Sequence, residues 1–340
     1  MMTSSSEPAV TPREAVAAVA DRRVPITADG QTIQMPVFAG GDLLVPGTAV
    51  TRLIIMINGT LRNADVYFAS TVAAAEAAGA NAERTLIVAP QFLATPDAEQ
   101  FTLDADVPHW TPEGWKIGDR ALRPERGPSS YAVIDALLSA ALDRDRFPSL
   151  RAVVVAGHSA GGQFVHRYLA FNRVHAALRG AGLAIRYIVS NPSSYLYFDD
   201  RRLDGDGGLA PYPRDRCADF NRYRYGLEEP NEYGAAAVAA FGSADAMARE
   251  YGRRQVAYLL GEADSDPASD SLDKSCGAMA QGATRLERGQ RYFRYVQALL
   301  GQGALATHSL HVVPGVGHDH RAMFMSPAGL ALLFGDGRRP

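Results

Sequence analysis

Ala152-Val153-Val154-Val155-Ala156-Gly157-His158-Ser159-Ala160-Gly161-Gly162 is the stretch from which the rest of the chain can be read. Its first five residues are small or β-branched and carry no polar side chain, as expected of a strand buried on both faces. A helix is expected from about Ala160 to Phe171, with almost no connector. A chain that passes from strand to helix so quickly must turn sharply. In a G-x-S-x-G turn the serine takes a strained conformation that exposes its hydroxyl. Side chains two residues to either side would collide with the turn, so glycines belong at 157 and 161. Ser159 is therefore the candidate nucleophile. The helix that opens at Ala160 brings partial positive charge beside it. His158, at the variable position, points away around the turn and reads as structural.

A serine hydroxyl needs a general base within hydrogen-bond reach. Among the histidines that follow Ser159, His166 and His175 belong to the helix behind it. The segment Val313-Pro314-Gly315-Val316-Gly317-His318-Asp319 follows the last apolar strand, Leu310 to Val313, so it sits at the same carboxyl edge of the sheet as the serine. Its glycines let the loop carry a side chain over the nucleophile. His318 is the expected base, with His320 as the alternative. A metal site built from His308, His311, His318, Asp319 and His320 is disfavoured, because His308 and His311 would face opposite sides of a strand. The base needs an acid to fix its tautomer. The strand Gln255 to Leu260 runs into Gly261-Glu262-Ala263-Asp264-Ser265-Asp266. Asp264 is the expected acid, with Glu262 and Asp266 as competitors. The oxyanion donors should be the backbone N–H of Ala160 and one from the loop Asn58 to Asn63. Thr60 is assigned, with Leu61 as the alternative.

Outside these motifs the chain alternates strands and helices, the pattern of a mostly parallel sheet covered on both faces. Arg23 to Thr27 and Thr32 to Phe38 read as opening strands around an Asp29-Gly30 hairpin turn. Further strands are expected at Leu53 to Ile57, Thr85 to Ala89 and Ile185 to Ser190. Helices are expected at Ala64 to Ala78, Tyr131 to Leu142 and Ala322 to Leu333. Two long aromatic segments, 92–130 and 193–234, interrupt the rhythm and read as lid-like insertions over one end of the sheet. Residues 1–21 read as a polar arm with a possible short helix, and 22–340 as one catalytic domain.

The elbow Gly157 to Gly161, the acid loop Gly261 to Asp264 and the histidine loop Gly315 to Asp319 together resemble the α/β-hydrolase superfamily, its esterases and lipases above all. The resemblance spans roughly residues 25 to 335. It implies an α/β fold with a mostly parallel eight-stranded sheet, helices on both faces and a Ser159–Asp264–His318 triad in that chain order, with no cofactor and no metal. Asn58-Gly59 stands where relatives often carry His-Gly, so the hydrogen bonding of that loop must differ. The implied activity is hydrolysis of carboxylic esters through an acyl-enzyme. An amidase, a lactonase or a polyester-type depolymerase would use the same triad. A binding protein that keeps the fold without catalysis is the reading from another class.

Bulk composition fits these expectations. The chain has 340 residues, 47% hydrophobic and 21% charged, ordinary for a globular protein with a sizeable core. A formal net charge of -3 gives no reason to expect a nucleic-acid partner. The basic residues are scattered arginines, apart from Lys116 and Lys274. No apolar run approaches the roughly 20 residues of a membrane span. No basic segment precedes the apolar Ala15 to Ala20, so a cytoplasmic setting is expected, with a secreted one left open. Cys217 and Cys276 read either as two free thiols or as one disulfide pinning a loop near the site.

Overall fold

The structure is a computed structural model that describes residues 12–43, 45–204 and 207–335. It contains an eight-stranded sheet. In chain order the strands are β1 (Arg23–Ala28), β2 (Gln31–Ala39), β3 (Arg52–Ile57), β4 (Thr85–Pro90), β5 (Ala152–His158) and β6 (Ala184–Ser190). After a short separate hairpin of β7 (Arg201–Leu203) and β8 (Leu209–Pro211) come β9 (Gln255–Gly261) and β10 (His308–Val313). The sheet order is β1-β2-β4-β3-β5-β6-β9-β10. β1 and β2 pair antiparallel around Asp29-Gly30, both with positive φ, and β2 runs antiparallel to β4. All the remaining pairs are parallel.

The apolar runs divide cleanly between the two faces, as a period of two requires. Leu53, Ile55 and Ile57 of β3 join the core beneath the helices Ser130–Ala140, Ala160–Phe171, Ala244–Gly252 and Arg285–Leu300. Ile54 and Met56 join the opposite core, beneath Ala64–Ala77 and the two C-terminal helices. The chain leaves β3 toward β4 on one side and later returns to β5 on the other. The carboxyl ends of β3 and β5 therefore flank a switch point, where open α/β sheets place their ligands.

Several expectations needed correction. The tail splits into two helices, His320–Met325 and Pro327–Phe334. Proline disfavours helical backbone in the residue before it, and Ser326 instead takes ψ 154° and caps the second helix through Gly329 N–H. Helices at Glu232–Phe241, Ala244–Gly252 and Arg285–Leu300 had drawn no expectation. The aromatics of the two insertions pack inward: Trp110, Trp115, Tyr195, Tyr197 and Phe220 are fully buried. No helix forms over residues 12–20, and the start of the expected arm, residues 1–11, lies outside the described residues. Cys217 and Cys276 form a disulfide, which ties the second insertion to the segment after β9. Among the described residues no helix is long and apolar enough to cross a membrane.

Candidate active site

β5 ends at His158, and the helix Ala160–Phe171 begins one residue after the turn. Ser159 forms the turn itself, with φ 59° and ψ -119°. Positive φ in a serine costs on the order of 1–3 kcal/mol and persists only where the surroundings enforce it. Those surroundings are tight. A Cβ on Gly157 would lie 2.3 Å from the Gly161 carbonyl oxygen, and one on Gly161 would lie 2.2 Å from that of Ile57. The second contact presses the elbow against the end of β3 and so against the loop that follows it. Ser159 N–H donates to the Ser190 carbonyl at 2.9 Å, which pins the turn to β6.

Three side chains expected to act together do meet. His318 Nε2 lies 2.9 Å from Ser159 Oγ, and its Nδ1 lies 2.7 Å from Asp264 Oδ2. A carboxylate only accepts, so Nδ1 carries the proton and Nε2 is left as the acceptor for the serine hydroxyl. The competing groups lie elsewhere. Glu262 accepts the Gly315 N–H at 2.9 Å, and Asp266 accepts the Ala268 N–H at 2.8 Å. His320 Nε2 sits 3.0 Å from Ser70 Oγ, and its ring stacks on Tyr67.

No protein-family model matches the sequence, and no curated protein matches it either. Solved structures do. Poly(aspartic acid) hydrolase-1 from Sphingomonas sp. KT-1 is 21% identical, with 92% of this chain and 99% of that chain covered at a TM-score of 0.56. Poly(3-hydroxybutyrate) depolymerase from Bordetella parapertussis is 22% identical, with 94% and 87% covered at a TM-score of 0.56. The chain has the α/β-hydrolase fold.

Within that fold, residues that sequence reasoning passed over hold the three loops together. Arg285, fully buried, donates from Nη1 to Asp264 Oδ1 at 3.3 Å. It also donates to the hydroxyls of Ser193, Ser269 and Ser271. Asn191, at the end of β6 with φ 43°, accepts the Gly261 N–H at 2.8 Å. Its Nδ2 lies 3.4 Å from both the Gly317 carbonyl oxygen and His158 Nε2. One amide thus bridges the acid loop, the histidine loop and the elbow. The Asn191-Pro192 pair directly after an apolar strand was the available signal.

His158 is buried, with its ring centroid 4.5 Å from that of His318. Burial, reinforced by the nearby His318, holds its imidazole well below the ordinary histidine range, so it stays neutral. Its Nδ1 sits 3.3 Å from the Tyr67 hydroxyl. That hydroxyl reaches under the loop after β3, where a Cβ on Gly59 would lie 2.5 Å from it.

The loop after β3 carries Thr60, and Ala160 opens the helix that faces it across the switch point. Asn58 Nδ2 donates to the Gly59 carbonyl at 2.8 Å. Arg62, with φ 59°, donates from Nε and Nη2, one edge of its guanidinium, to the two carboxylate oxygens of Asp97 at 2.7 Å and 3.0 Å. The same guanidinium donates to the carbonyls of Pro12 and Glu14, and Asp97 also accepts the Val16 N–H at 2.8 Å. Residues 12–16 are therefore a strap bonded to the loop after β3. Among the described residues there is no cluster of metal-binding side chains.

Proposed function

We propose that this protein is a serine hydrolase that cleaves carboxylic esters through an acyl-enzyme, with Ser159 as nucleophile, His318 as base and Asp264 as the acid that orients it. The observation that carries this reading is the continuous relay from Ser159 Oγ to His318 to Asp264, at 2.9 Å and 2.7 Å. His318 takes the hydroxyl proton as Oγ bonds to the ester carbonyl carbon. The tetrahedral oxyanion is received by the N–H groups of Ala160 and Thr60. His318 then gives its proton to the leaving alcohol as the C–O bond breaks. Water repeats the sequence on the acyl-enzyme and releases the carboxylic acid. The strained elbow supports this assignment, because the tight packing around it holds Ser159 at φ 59°, the conformation that exposes a serine hydroxyl at a strand-to-helix turn.

The two solved structures named above are, by their names, a hydrolase of poly(aspartic acid) and a depolymerase of poly(3-hydroxybutyrate). Their likeness concerns the fold, and the substrate must be found by assay. The test is hydrolysis of short-chain aryl esters by the wild type and by Ser159→Ala, with fluorophosphonate labelling in parallel. Turnover and labelling should both vanish in the variant. Labelling without turnover would redirect the search to amides, lactones and polymers. If neither signal appears in the wild type, the fold serves binding rather than catalysis.

A further inference from the structure

Gln163 lies four residues beyond Ser159, and its N–H donates to the Ser159 carbonyl at 3.0 Å. This places Gln163 in the first turn of the helix that Ser159 opens. Gln163 is nine-tenths buried, and the orientation of its amide is dictated by its partners. Arg167, one turn further along, donates from Nη2 to Gln163 Oε1 at 3.2 Å and to Ser194 Oγ at 2.8 Å. Ser194 Oγ, accepting from the guanidinium, passes its own proton to the same Oε1 at 3.2 Å. A guanidinium has no acceptor, so the oxygen of the glutamine must face it. The amide NH2 is forced to the other side, where it has no protein partner among the described residues and remains open to solvent.

Arg167 is fully buried, and like the buried Arg202, Arg254 and Arg288 its described partners are all neutral: Gln163, Ser194 and the Arg224 carbonyl. Its Nη1 has no hydrogen-bond partner among the described residues. A buried cation with no carboxylate costs several kcal/mol. Here the uncompensated charge polarises the Gln163 amide and makes its outward N–H groups stronger donors.

We infer that Gln163 is a specificity-determining donor of the active site, receiving a carbonyl or carboxylate oxygen of the substrate's acyl group, with Arg167 as the positioning residue that aims it. The acyl groups selected are those with such an oxygen about one helical turn, ~5 Å, from the scissile carbonyl. The inference rests on the serine-hydrolase reading and deepens it by naming a substrate class.

The experiment compares two aryl esters of equal chain length, the pentanoate and the 4-oxopentanoate, in the wild type, Gln163→Leu and Gln163→Glu. The wild type should favour the oxo ester in kcat/KM by about tenfold, the upper range for one hydrogen bond. Gln163→Leu should bring the ratio close to one. Gln163→Glu gives Arg167 a carboxylate partner and turns the donor into an acceptor, so its ratio should fall below one. It also keeps the test open if the leucine variant does not fold. Arg167→Met, which frees the amide to flip, should lose most of the preference. A wild type indifferent to the oxo group, or a preference that survives in both Gln163 variants, overturns the inference while leaving the nucleophile assignment standing. A wild type that neither turns over an ester nor labels with a fluorophosphonate removes both readings, and the labelling arm tells the two failures apart.

Discussion

Arg285 Nη1 lies 3.3 Å from Oδ1 of Asp264, the carboxylate oxygen that His318 leaves free. Both side chains are nearly inaccessible to solvent. Asp264 is thus held from both edges, by an imidazole and by a guanidinium that is itself anchored on three serine hydroxyls. Its carboxylate has little freedom to rotate away from the histidine. Arg285→Met should lower kcat by about 10–100-fold with little change in KM, as for other outer partners that orient an active group. In an Asp264→Asn background the same substitution should cost much less, because the group it positions is already disabled. Rates for the two single variants and the double variant check this. Fully additive losses would mean that Arg285 acts on stability and not through Asp264.

The Arg62–Asp97 pair has both side chains at 0% exposure. Removing either partner leaves a buried charge unpaired, at a cost of about 3–5 kcal/mol. Because Arg62 belongs to the loop proposed to receive the oxyanion and also binds the Pro12 and Glu14 carbonyls, the damage should not stop at stability. Asp97→Ala is expected to lower the urea midpoint and to reduce kcat through a loosened loop. The double change Arg62→Met with Asp97→Leu should recover part of the stability but not the rate. Equal recovery of both would argue that the strap has no part in shaping the oxyanion site.

The legibility of the sequence followed the range of the interaction involved. The β3 and β5 runs, the elbow and the glycine-flanked His318 could be read because their signals are local: apolar continuity, a strand-to-helix turn, glycines where a Cβ cannot fit. Asp264 could be narrowed to a loop of three acids, but only the fold shows that Asp264 faces His318 while Glu262 faces Gly315. Arg285, Arg62 and Arg167 could not be singled out among scattered arginines. Their roles are set by partners 21, 35 and 27 positions away in the chain. The helix Arg285–Leu300 was missed because its buried face includes Arg285 and Arg288, which interrupts the apolar stripe that marks a helix in sequence. Trp110 and Trp115 belong to a segment that reads from composition as a lid-like insertion, yet both pack on Phe92 in the core, Trp110 edge-on and Trp115 stacked.

Buried titrating groups give the stability a defined pH dependence. Burial pushes the His175 imidazole down to about 3 and the His308 imidazole down to about 4. His158 and His166 are also held well below the ordinary range. Unfolded histidine titrates near about 6.5. As pH falls below that value, the unfolded chain takes up protons that the folded histidines refuse, so stability is lost progressively down to about pH 4 and below. Asp135 acts in the opposite sense. Burial pushes its carboxyl up to about 6, against the hydrogen bonds from the Tyr233 and Tyr168 hydroxyls. Its contribution is therefore most favourable near pH ~4 and is gone above pH ~6. The wild-type melting temperature should fall below about pH 6.5, because seven histidines are shifted down against two aspartates, Asp119 and Asp135, shifted up. Asp135→Asn should look better relative to wild type at neutral pH than at pH ~4. Thermal melts across that range check both signs.

The Cys217–Cys276 disulfide closes a loop whose ends are 59 residues apart. Loop-closure entropy for a ring of that length is worth about 4 kcal/mol against the unfolded chain, less whatever structure the reduced chain retains. The bond joins Cys217 of the second insertion to Cys276, the first residue of the short helix Cys276–Met279. Close by, Tyr225 reaches Asp273 and Ser275 through hydrogen bonds of 2.8 Å and 2.6 Å. Those bonds remain when the sulfurs are reduced, so the insertion should keep its place under native conditions. Reductant, or the pair Cys217→Ser with Cys276→Ser, is therefore expected to lower the unfolding midpoint clearly while leaving kcat/KM for a short ester within about twofold, a change of under 0.5 kcal/mol in the barrier. A large loss of activity at a temperature where the reduced protein is still folded would mean that the disulfide shapes the substrate cleft itself.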